Sequence, residues 1–70
     1  MGAVLFMKMQ YTIKMITQEE AEAIKRRYTP KGLFLYKQGA YTVALDNACG
    51  DVWERKFKSK AEAQEWLISI

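Results

Sequence analysis

The sequence contains no histidine, one cysteine and one proline. Without histidine the chain lacks the side chain most used as a general base near neutral pH and as a metal ligand. The lone cysteine, Cys49, closes no internal disulfide. With no imidazole to pair with, it also makes neither a thiolate dyad nor a zinc site. A solitary thiol fits a reducing cytoplasm better than an oxidising compartment. Long apolar runs are missing as well: nothing approaches the roughly 20 residues of a membrane-spanning helix. The apolar opening "GAVLFM" has no basic segment before it and an alternating pattern, not a cleavage site, after it, so it does not read as a secretory signal. Met7 and Met9 are equally good starts, which leaves residues 1–8 readable as an upstream extension.

Glycine is sparse, at four residues, and scattered, so no phosphate-cradling loop is present. Asp46 and Asp51 flank the turn "NACG" but lack the further oxygen ligands of a calcium loop, and turn formation accounts for both. Glu19, Glu20 and Glu22 imitate a pair of catalytic carboxylates, yet helix capping explains them better. No cofactor or metal is expected, and the reading is of a non-enzymatic protein.

What the chain does have is apolar residues, 50% of the total, and aromatic ones, 13%. Seventy residues make one domain, 1–70, whose core is thin because a chain this short buries only ~60% of its unfolded surface. Residues 1–16 read as an N-terminal strand and 17–70 as an αβββα core. From Met7 to Met15 the alternation is strict, with Met7, Met9, Tyr11, Ile13 and Met15 on one side. Such a ribbon needs a partner, either the sheet of its own chain or a second copy, which makes a homodimer through this strand an expectation.

"TQEEAEAIKRRY" then carries a capping box, Thr17 with Glu20, and a stripe of Ala21, Ile24 and Tyr28. Pro30 and Gly32 stop that helix. Strands follow in "LFLYK", "YTVALD" and "DVWERKF", joined by the turns "QGA" and "NACG". Ser59 with Glu62 predicts a second capping box, opening a helix with Ala63, Trp66, Leu67 and Ile70 along one stripe. The order is β-α-β-β-β-α. The fold class expected is α+β, a small two-layer domain with an antiparallel sheet and both helices on one face.

The net charge of +3 permits an anionic partner without demanding one. Lys25, Arg26 and Arg27 sit where a helix C-terminus favours cations. In "KFKSKAEAQEWL" the placement is reversed: Lys56, Lys58 and Lys60 crowd a helix start, whose partial charge is already positive. An anion there would meet ammonium groups and free backbone amides together. Arg55, Lys56, Lys58 and Lys60, with Lys37 and Thr42 from the neighbouring strands, are therefore the candidate nucleic-acid contacts. A second candidate surface is a sheet face free of helices. With Val43, Leu45, Trp53 and Phe57 turned to the core, Thr42, Ala44, Glu54 and Lys56 look outward, with Phe34 and Tyr36 the aromatic candidates for that face, where small, polar and aromatic residues would meet bases.

The stretch "YTVALDNACGDVWERKFKSKAEAQEWL" resembles small uncharacterised proteins of bacteriophages and conjugative elements of Gram-positive bacteria. It is also similar to the arm-type N-terminal domains of tyrosine integrases, which implies DNA binding through a three-stranded sheet. From Thr17 onward the α-β-β-β-α order resembles the double-stranded-RNA-binding domain, and that resemblance implies backbone contacts from Lys58 and Lys60. The chain departs from that family in "SKAEAQ", which turns acidic after its lysine, and in the short "QGA" turn. The function expected is a small nucleic-acid-binding module. The alternative is a protein-interaction module or inhibitor of a host protein, encoded by a phage or mobile element and docking through methionines such as Met7, Met9 and Met15. No membrane partner is expected.

Overall fold

The computed structural model describes residues 11–69. Strand β1 is Ile13–Met15, helix α1 Gln18–Arg27, β2 Gly32–Gln38, β3 Tyr41–Asn47, β4 Trp53–Phe57 and helix α2 Lys60–Ile68. The α+β class and the order β-α-β-β-β-α are those expected from the sequence. Of the first predicted strand, the part from Met7 to Gln10 lies outside the described residues, as do Met7 and Met9 as contact residues.

The strands form one sheet in the order β1-β2-β3-β4. It is mixed, not wholly antiparallel: β1 runs parallel to β2, with Ile13 opposite Leu33 and Met15 opposite Leu35. The cause is α1, because a helix between two strands makes a crossover that returns the chain in the same direction. The other two pairings are antiparallel. Gln38 lies opposite Tyr41, so β2 and β3 are joined by Gly39 and Ala40 alone. Gly39 has φ 62°, at the position where a type II′ hairpin calls for glycine.

Helix α1 starts on the complete Thr17–Glu20 box: the Glu20 amide donates to Thr17 Oγ1 at 3.1 Å and the Thr17 amide to Glu20 Oε1 at 2.8 Å. Tyr28 ends it in the left-handed conformation, φ 62°, and its amide donates to the Ile24 carbonyl. That geometry turns the Tyr28 ring out of the predicted stripe, leaving it half exposed. Helix α2 forms only half of its box, the Glu62 amide donating to Ser59 Oγ at 3.2 Å.

The two helices do not share a face. Ala21 and Ile24 of α1 pack on Phe34, Tyr36, Val43 and Leu45. Ala63 and Leu67 of α2 pack on Leu33, Leu35, Ala44 and Ala48. Neighbouring residues of a strand point to opposite sides, so these sets are the two faces of one sheet. The domain has three layers, helix–sheet–helix, and the expectation of two layers fails for a physical reason. "LFLY" and "VAL" offer an apolar residue to both sides at every step, and each side needs its own cover. Leu33, Phe34, Leu35 and Tyr36 are accordingly all buried. Ala44, Ala48 and Ala63 carry little bulk where α2 crosses β3, so helix and sheet approach closely.

Asn47 was expected in a turn. It closes β3 instead, fully buried, and its Nδ2 donates to the Pro30 carbonyl at 2.8 Å. This bond ties the start of β2 to the end of β3.

Candidate nucleic-acid interface

The register fixes where each basic side chain projects. Thr42 lies opposite Lys37 on one side and Phe57 on the other, so these three residues share a rung. Val43 lies opposite Lys56, and Ala44 opposite Arg55. Lys37, Arg55 and Phe57 therefore point to the α2 face, and Lys56 points to the α1 face. Strands pack about 4.8 Å apart, so Lys37 and Phe57 stand about 10 Å apart at backbone level. Lys58, Ser59 and Lys60 follow directly on Phe57 and carry the chain into α2.

The end of the sheet beside the Gly39 turn thus carries Lys37 at the end of β2 and Lys58 and Lys60 just past β4, with Arg55 two residues further in along β4. All four are exposed. Among the described residues, none of them makes an ion pair. Lys37 Nζ donates to Thr42 Oγ1 at 3.4 Å, and the Arg55 guanidinium lies 5.6 Å from the centre of the Phe57 ring. Lys56 is separated from this group and stands 5.8 Å from the Tyr41 ring centre on the opposite face.

Two expectations about this surface are overturned. Thr42 is 1% exposed, covered within the sheet, and cannot present its hydroxyl to a ligand. The proposed free sheet face does not exist either. Glu54 and Lys56 share the α1 face with Val43 and Leu45, whereas Trp53 and Phe57 share the α2 face with Thr42 and Ala44. Both faces carry a helix over their apolar centre.

A second polar cluster was not anticipated. On the α1 face Tyr36 donates its hydroxyl to Glu54 Oε2, and Lys25 Nζ lies 3.1 Å from that same oxygen and 3.1 Å from Glu22 Oε2. Burial, reinforced by the bond to Glu54, pushes the Tyr36 phenol up to about 12. Burial alone would lower the Lys25 ammonium, but bonds to Glu54 and Glu22 outweigh it and hold the group above its usual range. Both groups move away from neutrality, the reverse of what acid–base catalysis at neutral pH requires. Cross-strand spacing was the available signal: once Val43 is set between Tyr36 and Lys56, Glu54 falls on the same face one rung along, diagonal to Tyr36.

Two clefts flank these features. One, of about 320 Å³, lies between β1, α1 and β2, with Ile16, Ile24, Pro30 and Phe34 as apolar walls and Lys14, Glu20 and Arg27 among the polar ones. The other, of about 500 Å³, is bounded by Phe57, Trp66, Glu62, Glu65 and Ser69. Among the described residues there is no group of three or more His, Cys, Asp or Glu side chains placed to hold a metal ion. No helix among them is long and apolar enough to cross a membrane.

Comparison of the chain with protein-family models, with curated proteins and with solved structures finds no match.

Proposed function

We propose that this chain is a small non-enzymatic binding domain that holds the backbone of a nucleic acid at the sheet end formed by Lys37, Arg55, Lys58 and Lys60. The observation that carries the reading is the gathering of four exposed cations, from two strands and a helix start, none of them paired with a carboxylate among the described residues. Lys25, by contrast, is neutralised by two carboxylates. Phosphate contacts of this kind position a ligand without reading its sequence. The contact is with the sheet's end, since helices occupy both faces. The exposed, unpaired thiol of Cys49 fits a reducing cytoplasm. A phage or other mobile genetic element is the source that the sequence resemblances favour.

Titration of labelled single- and double-stranded oligonucleotides at two salt concentrations tests this. Each phosphate contact contributes about 0.9 to the slope of log affinity against log salt on duplex DNA. Replacing Lys58 and Lys60 together by glutamate is expected to weaken binding for every sequence and to lower that slope by about two. Binding that is unaltered by the double replacement removes the site. The second reading, contact with a host protein, rests on Trp53, which is 63% exposed. It predicts binding that tolerates salt and depends on that ring.

A further inference from the structure

Strand β4 is an edge of the sheet: it pairs with β3, and among the described residues nothing pairs with its other side. Such an edge is a template for another strand unless it is blocked. Its sequence, Trp53-Glu54-Arg55-Lys56-Phe57, is self-complementary about Arg55, with an aromatic residue at each end and an acid and a base at matching positions. We infer that two copies of the chain pair antiparallel through β4 about a two-fold axis at Arg55, making one continuous eight-stranded sheet.

In that register Glu54 faces Lys56 of the second copy, and Lys56 faces the second copy's Glu54. Trp53 faces Phe57 of the second copy. Residues directly opposite in an antiparallel pair have Cβ atoms about 4.5–5.5 Å apart, close enough for both contacts. Moving the centre by one residue to Glu54, which still pairs residues of the same face, opposes Glu54 to Glu54. Moving it by one residue the other way, to Lys56, opposes Lys56 to Lys56. Within the five residues of β4, only the register centred on Arg55 sets both unlike charges and aromatic rings against one another.

Two observations support the occupant. The cluster on the α1 face contains Lys25 against two carboxylates, Glu22 and Glu54, with Tyr36 neutral, and so keeps one negative charge for an incoming ammonium. On the α2 face, Trp53 is the most exposed large apolar side chain among the described residues, at 63%, and its counterpart Phe57 borders the open cleft with Trp66, the Phe57 and Trp66 rings 6.0 Å apart. Each Trp53 thus covers the cleft of the other copy. The two Arg55 side chains oppose each other at the axis, which costs some stability. Each already leans over its own Phe57 ring. The interface is small, so the dimer is expected to dissociate on dilution.

Light scattering on the full chain should give twice the monomer mass of 8.1 kDa at high concentration. Lys56→Glu, which sets like charges opposite, and Trp53→Ala should each return it to the monomer with the circular dichroism of the parent. The register is read separately by oxidation in a Cys49→Ser background. There Arg55→Cys should cross-link to a dimer and Trp53→Cys should not. A monomer at every concentration overturns the inference, as does cross-linking through position 53 in preference to 55. The inference shares Arg55 with the proposed phosphate contacts but uses none of Lys37, Lys58 and Lys60, so unaltered nucleic-acid binding or its failure on replacing Lys58 and Lys60 leaves it standing.

Discussion

Tyr36 is the residue on which the α1 face turns. Its ring is buried between α1 and the sheet, while its hydroxyl reaches Glu54, which also holds Lys25. A hydrogen bond to a charged group contributes roughly 1.5–3 kcal/mol, so Tyr36→Phe is expected to cost about that much in urea unfolding, with the ring's packing retained. Burial of the ring, together with the same bond, sets an alkaline limit. Tyr36 is raised from 10.0 to about 12 on folding, so its contribution to stability is complete below pH 10. That contribution is lost as pH rises from 10 toward 12, because only the unfolded phenol releases its proton readily there. Lys25 is also raised, which gives a loss of the same sign over alkaline pH. Ultraviolet titration of the four tyrosines should show one that ionises late, and it should vanish in Tyr36→Phe.

The helix ends separate what a sequence displays from what it conceals. Thr17 with Glu20 and Ser59 with Glu62 are local patterns, and both start their helices where the spacing placed them. Only the first is reciprocal. Thr17→Ala is therefore expected to cost about 1 kcal/mol, the typical value for a lost cap, and Ser59→Ala less, as measured by thermal unfolding. The strands were legible as elements but not as faces. Alternation in "YTVALD" suggested one wet side, yet Thr42 and Ala44 lie under the second helix's side of the sheet. The run "LFLY" carried the better signal, since four consecutive apolar residues belong to a strand covered on both sides. The parallel pairing of β1 was concealed for another reason, as strand direction follows from the path of the connection and not from side-chain pattern.

At the scale of the molecule, two helices on opposite faces leave a sheet only its ends and edges for binding. The candidate site was legible in part. Lys58 and Lys60 are exposed at the helix start, as is Arg55 in β4. Lys56 and Thr42 leave the set, the one because adjacent strand residues project to opposite faces, the other because it is covered. The most direct test of this arrangement is nuclear magnetic resonance of the labelled protein titrated with a short oligonucleotide at low salt. Amide shifts are predicted at Lys37, Arg55, Lys58, Lys60 and the Gly39 turn, with Leu35, Ala44 and Ile24 unmoved. Shifts centred on the interior strand residues, or none at any ratio, would contradict the account.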